Sequence, residues 1–320
     1  MEFVKSIISK ELSSFEKKFS ASLRSNTPLL DKVMGYIIKR KGKQIRPMFV
    51  FLSAKLHGEV NESTYRAATL VELLHTATLV HDDVVDESME RRGFLSINAN
   101  WKNKIAVLVG DYLLSKGLLL STSHQDFEQL QILSDAVRQM SEGELLQMEK
   151  SRKLNLDESV YFEIIRSKTA SLLSSACAAG AFSTSGDMNT TNLMKSFGEK
   201  TGIAFQIKDD LFDYGNEKIG KPTGNDIKEK KLTLPLIYTL NQVDKSTRKR
   251  LIYILKNEHK EKTSIKFVID TVIKTGGIKY AEEKMYEYRD EALHILYQFN
   301  DTPVRKALEA LVRFTTDRKF

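Results

Sequence analysis

Two six-residue stretches, HDDVVD at 81–86 and KDDLFD at 208–213, each place three aspartates within five positions. Acids this close repel one another. Two carboxylates about 4 Å apart cost roughly 4 kcal/mol at an effective dielectric of 20, and like charges at i, i+4 destabilise a helix. At about 100° per residue, Asp82, Asp83 and Asp86 share one face of a helix, and Asp209, Asp210 and Asp213 repeat the pattern 127 residues later. Either bulk water or bound cations must satisfy such a set. Each cluster follows directly on an apolar run (ATLVHDD and IAFQIKDD) and carries apolar residues between its acids, unlike an acidic helix end bathed in water. Two like half-sites of oxygen ligands suit hard cations, and Mg²⁺ is the choice where a diphosphate supplies the remaining oxygens. A calcium loop of the EF-hand kind would alternate its ligands around a glycine turn, and neither stretch does.

Basic residues recur close to these acids. Lys43 and Arg46 lie in KGKQIRP, Arg91 and Arg92 follow the first cluster, Lys168 opens KTA, and Lys221 and Lys231 belong to GKPTGNDIKEKK after the second. Singly, each reads as a solvated charge. As a set near two metal-binding clusters they suit two diphosphate groups, arginine by forked recognition and lysine as a point charge. His75 precedes Asp82 by seven residues, two helical turns, and so lies on nearly the same face; a satisfied core histidine is the alternative.

Long helices must position these groups. The chain has only five prolines, with none between Pro47 and Pro222, and a proline costs a helix interior roughly 3 kcal/mol. Apolar residues recur at helical spacing from about Thr64 to the first cluster, from Lys104 to Leu120, and over 126–150, 158–183, 191–213 and 233–255. The breaks are short and polar, at 40–47, after Arg92, at 183–189 and at 215–226. Asn-Gly turns between alternating runs are absent. The expected fold is all-α, one large helical domain over 1–320 with no low-complexity linker. Forty-nine basic residues face 42 acidic ones, for a formal charge of +7. That is mild for 320 residues and reads as a mixed solvated surface, with no nucleic-acid partner expected. Cys177, alone in SSACAAGA, reads as a small core residue in a reducing compartment. The amphipathic N-terminal stretch lacks the apolar core of a signal peptide. The run IAVLVGDYLLSKGLLL carries Asp111 and Lys116 near its middle, which makes it a poor membrane span. The expected location is cytoplasmic.

The motifs in order resemble the trans-isoprenyl diphosphate synthase (polyprenyl synthetase) family. ELLHTATLVHDDVVDESMERRG is similar to its first aspartate-rich region and GIAFQIKDDLFD to its second. KGKQIRP, GDYLLSKG, EGELLQ, KTA and GKPTGNDIKEKKLTLP are similar to further blocks between about 38 and 240. Two departures stand out, Lys41 at the first glycine of the usual GGK and Lys230 at the glycine of EGK. The resemblance implies a homodimeric, magnesium-dependent prenyltransferase of isoprenoid biosynthesis, with the isoprenoid synthase fold, a helical bundle around a deep cavity. It implies three Mg²⁺ between Asp82, Asp83, Asp86 and Asp209, Asp210, with Asp213 second in line. It further implies that Arg91, Lys168, Lys221 and Lys231 steady a departing diphosphate, that Thr169 and Gln206 place dipoles near the allylic cation, and that Lys43, Arg46, His75 and Arg92 hold isopentenyl diphosphate beside the allylic diphosphate.

In the family, bulky aromatics four or five residues before the first aspartate block the growing chain. Ala77 and Thr78 stand there, with Leu74 one turn deeper as a candidate floor. HTATLVHDDVVDES is most similar to long-chain, octaprenyl-type members, which implies a product longer than C20 for a quinone side chain. The rivals are a short-chain farnesyl or geranylgeranyl diphosphate synthase and, from another class, a non-catalytic subunit of a heteromeric synthase. A decayed subunit would have lost ligands, yet all six aspartates are present.

Overall fold

The structure, a computed structural model, describes all residues except 41, 92, 154–156, 216–223 and 318–320, together with the side chains of 152 and 153. Sixteen helices are described: α1 (Glu2–Ile7), α2 (Ser9–Ser22), α3 (Pro28–Lys39), α4 (Ile45–His57), α5 (Glu62–Val85), α6 (Ile97–Ser123), α7 (Phe127–Lys153), α8 (Glu158–Ile165), α9 (Ser171–Ser185), α10 (Met188–Phe212), α11 (Asn225–Lys228), α12 (Leu234–Gln242), α13 (Lys245–Tyr253), α14 (Lys262–Lys274), α15 (Gly277–Leu296) and α16 (Pro303–Asp317). The all-α expectation holds, with one small addition: β1 (Glu90–Arg91) and β2 (Phe94–Leu95) pair antiparallel around Gly93, whose φ of 76° suits glycine. The stretch 233–255 is two helices, because Asp244 accepts from the N–H groups of Ser246 and Thr247 and starts a new one.

The chain folds as two compact units, each assembled from non-consecutive segments. The first comprises 1–137, 175–195 and 299–308; the second comprises 138–174, 196–298 and 309–320. In the first unit α5 and α6 form the most extensive helix pair. Gly110 and Gly117 make that approach possible, since a Cβ would lie 2.1 Å from His81 Nε2 at the one and 2.7 Å from Leu70 Cδ1 at the other. Asn61 starts α5 with a capping box through Thr64. By length and composition α6 is apolar enough to cross a membrane, but it carries Asp111 and Lys116 and packs along α5. Cys177 is buried, as expected, and burial pushes its thiol up to about 12.

The second unit is built on an apolar core to which α8, α10, α12, α14 and α15 contribute, including Ile203, Ile207, Ile237, Val268 and Met285. Between α8 and α9 the helix loosens into a π-turn, Arg166–Ala170. Two glycines hold that turn. A Cβ on Gly143 would stand 2.8 Å from Ser167 Cβ, and one on Gly202 would stand 2.6 Å from Ala170 Cα. Backbone of α7 and of α10 therefore lies against the segment that carries Lys168 and Thr169.

Candidate active site

The third aspartate of each cluster lies just past the end of its helix. α5 ends at Val85, so Asp86 sits at the cap with φ −84° and ψ 0°. α10 ends at Phe212, and Asp213 lies in the turn beyond. The Asp86 N–H still donates to the Asp82 carbonyl at 2.8 Å, so Asp86 continues the last turn of α5, and the Asp213 N–H donates to the Asp210 carbonyl at 3.2 Å.

Both clusters treat the middle aspartate alike. Asp83 is turned inward, 2% exposed as a residue, and accepts from Arg91 Nε at 2.6 Å, while its backbone carbonyl accepts from Asn98. Burial raises its pKa, and the hydrogen bond from Arg91 opposes the rise. Asp210 is also buried. It accepts from Tyr161 Oη at 2.7 Å and from Gln206 Nε2 at 2.8 Å. Burial pushes it up to about 7, against the pull of those two donors. Asp82 and Asp209 are half-buried and Asp86 is exposed. Asp213 accepts the backbone N–H groups of Asn225 at 2.8 Å and Asp226 at 3.1 Å, so both its oxygens anchor the start of α11. Burial raises its pKa too.

In the first unit Arg46 Nη1 donates to His75 Nε2 at 2.9 Å; a guanidinium has no acceptor, so the imidazole nitrogen accepts. His75, Asp83 and Arg91 line a cavity of about 100 Å³ with Arg40, Glu72 and Thr76, roofed by Phe94 and Leu95 of the hairpin. Lys43 is exposed and outside it. Ala77 is fully buried, Leu74 packs towards Gly117, and Thr78 Oγ1 donates to the carbonyl of His75.

In the second unit Lys168, Thr169, Gln206, Asp210 and Lys231 line one cavity of about 180 Å³. Thr169 Oγ1 donates to Gln206 Oε1 at 2.7 Å, which frees the amide nitrogen of Gln206 for Asp210. Lys168 is paired with Glu144, and Lys231 with Glu229 at 2.5 Å. Lys221 and Arg92 fall outside the described residues. Three residues at this site escaped the sequence reading. Tyr161 lies seven positions before Lys168 in a run that reads as plain amphipathic helix. Asp226 stands inside the GKPTGND block and could have been counted as an acid; it lines the same cavity, and burial with Asp210 nearby pushes it up to about 7. Glu144 belongs to EGELLQ. Among the described residues no three His, Cys, Asp or Glu side chains lie close enough to enclose a metal ion by themselves.

A profile of the family described as polyprenyl synthetase matches residues 27–272. The chain belongs to the polyprenyl synthetase family. It is 31% identical to the octaprenyl diphosphate synthase of Escherichia coli K12 over 99% of both chains. A polyprenyl synthase from Caulobacter crescentus CB15, solved with calcium and isoprenyl diphosphate, superposes with a TM-score of 0.92 at 31% identity over 99% of this chain and 97% of that one. A geranylgeranyl pyrophosphate synthase from Bacteroides thetaiotaomicron superposes with a TM-score of 0.84 at 36% identity over 99% and 98%. Membership of this family makes the chain a prenyltransferase with the isoprenoid synthase fold.

Proposed function

We propose that residues 1–320 act as one synthase domain that extends an allylic diphosphate with isopentenyl diphosphate to an all-trans polyprenyl diphosphate longer than C20. The observation that carries this is the second unit's cavity, where Lys168 and Lys231 stand with Asp210, Asp226, Thr169 and Gln206. Carboxylates and cations lining one cavity are what a metal–diphosphate complex requires and what an apolar substrate does not. The long product is favoured by the small, buried Ala77 and by the octaprenyl relative.

The donor set fits Mg²⁺: it is carboxylate oxygen throughout, and the raised pKa values of Asp210 and Asp226 mark a surplus of negative charge that a hard cation relieves. In the first unit Asp82, Asp83 and Asp86 would offer oxygens to such a cation, and in the second Asp209, Asp210 and Asp226 would, while Asp213 fixes the start of α11 by accepting the backbone N–H groups of Asn225 and Asp226. When bound, the metal supplies charge to the diphosphate leaving group. Lys168, Lys231 and Lys221 hold the diphosphate oxygens as point charges, so negative charge developing there as the allylic C–O bond breaks meets fixed cations. The oxygens of Thr169 and Gln206 turn dipoles towards the allylic carbon. Arg46, steadied on His75, acts with Lys43 and Arg92 on the diphosphate of isopentenyl diphosphate, whose double bond forms the new C–C bond. The proton lost from the adduct passes to the released diphosphate and restores an allylic product.

The purified chain with farnesyl diphosphate, excess labelled isopentenyl diphosphate and Mg²⁺ is expected to give products above C20, lost on chelation. Products stopping at C20 would establish the short-chain reading. No incorporation with any primer would establish the subunit reading. We further propose a homodimer through α6, which turns Val107, Leu108, Leu118 and Leu119 outward at 42–64% exposure, an apolar stripe that a second copy would cover. Light scattering at twice the chain mass tests it.

A further inference from the structure

The positive charge of this chain is not spread over its surface. Residues 228–274 hold twelve basic and five acidic side chains, a surplus of seven that equals the net charge of +7 for the whole chain. All of them lie in the second unit. Lys245, Arg248 and Lys249 on α13 and Lys256 in the π-turn that follows it (Ile254–Glu258) are all exposed, while Leu251 and Leu255 of the same segment are buried. Lys260, Lys262 and Lys266 continue the surface onto α14 and are exposed as well. The segments are joined: Lys230 Nζ donates to the carbonyl of Lys256, and Ser264 at the start of α14 donates to Glu258. Arg250 is neutralised by Glu258 at 2.7 Å. Among the described residues Lys245, Arg248, Lys249, Lys256, Lys260, Lys262 and Lys266 form no ion pair. Among these cations three apolar side chains face outward, Tyr253 at 50%, Phe267 at 42% and Ile273 at 54% exposure.

We propose that this surface docks the enzyme onto a membrane containing anionic lipid. Cations clustered at one surface are attracted to an anionic leaflet additively, each contributing roughly a fivefold gain in partitioning. Tyr253, Phe267 and Ile273 are of the kind that enters the headgroup boundary beside such cations. The partner is a lipid surface rather than a nucleic acid because the product is itself an amphiphile, an apolar polyprenyl tail on a diphosphate head; that choice rests on the long-chain reading above. The basic surface also adjoins the candidate site, since Lys231, one residue from Lys230, lines the second unit's cavity. A synthase seated this way would deliver its product to the phase that dissolves it.

The full chain is sedimented with vesicles of phosphatidylcholine alone and with 30 mol% phosphatidylglycerol, at low and high salt. Binding to the phosphatidylglycerol vesicles only, released by about 0.5 M salt, is expected. The variant carrying Lys245→Glu, Lys249→Glu and Lys266→Glu is expected to partition at least about 30-fold less with an unchanged melting temperature and unchanged prenyl transfer in detergent solution. Equal binding to both vesicle types, retained binding by the variant, or binding to a short RNA that vesicles cannot displace would overturn the proposal. Absence of prenyl transfer in the wild type would refute the proposed function instead, and leaves the vesicle result readable by itself.

Discussion

Tyr161→Phe is the most informative change to this molecule. Among the described residues only Tyr161 and Gln206 donate to the buried Asp210 carboxylate, and burial pushes its carboxyl up to about 7 from the usual value near 3.9. A carboxylate raised in the folded state binds its proton where the unfolded chain has lost it, so stability falls as pH rises between those two values. The fall amounts to about 4 kcal/mol for roughly three units. The phenol acts mainly on the ionised form. Below pH 6, where Asp210 is protonated in the fold, its loss costs about 1 kcal/mol as a neutral hydrogen bond. Above pH 8 the lost bond is to a buried anion, worth about 2–3 kcal/mol. The penalty of Tyr161→Phe is therefore expected to grow by 1–2 kcal/mol across neutrality. Urea unfolding followed by circular dichroism, in EDTA at pH 5.5 and 8.5, measures it. A penalty that is flat with pH, or larger in acid, would refute the assignment of Tyr161 to the carboxylate.

Three other expectations concern separate parts of the chain. Ala77→Phe should shorten the product, at a cost of about 1–3 kcal/mol for overpacking a buried position; an unchanged chain-length distribution refutes the tunnel reading. Lys230 holds φ +58°, a left-handed backbone that costs a side-chain-bearing residue about 1 kcal/mol, so Lys230→Gly should be more stable than Lys230→Ala by about that amount in thermal or urea unfolding, and the reverse order would contradict the conformation. The Cys177 thiol, pushed up to about 12 by burial, should ignore a chromogenic disulfide reagent at pH 8 in the native protein and react with one equivalent after unfolding; rapid native reaction would mean the α9 core opens.

Much of this was legible in the residues. Repulsion among close carboxylates predicts that the aspartate clusters need partners, and helical spacing places α5, α7 and α10 within a few residues of their ends. The family departure at Lys230 was visible as a missing glycine, and the positive φ shows what that glycine would have served. Periodicity could not reveal that the middle acids turn inward, because Arg91, Asn98 and Tyr161 reach them through tertiary contacts. Nor could it show that Asp213 spends both oxygens on backbone amides 12 and 13 residues away. The overall charge balance concealed the basic surface, since a net charge of +7 says nothing about where the surplus lies.

The π-turn at Arg166–Ala170 has a consequence for the register of everything before it. A turn closed by i→i+5 bonds takes up one residue more than an α-turn, so α8 and α9 are out of step by about 100°. Tyr161 and Thr169, eight residues apart, would be about 80° apart around a regular helix; the wider turn that contains Thr169 brings them closer to one line. That line meets Asp210 and Gln206, themselves one helical turn apart on α10. Removing a single residue from the turn would keep the segment helical and most of its apolar pattern, yet swing Tyr161 away from the carboxylate it serves. The site thus depends on a count of residues as much as on their kinds.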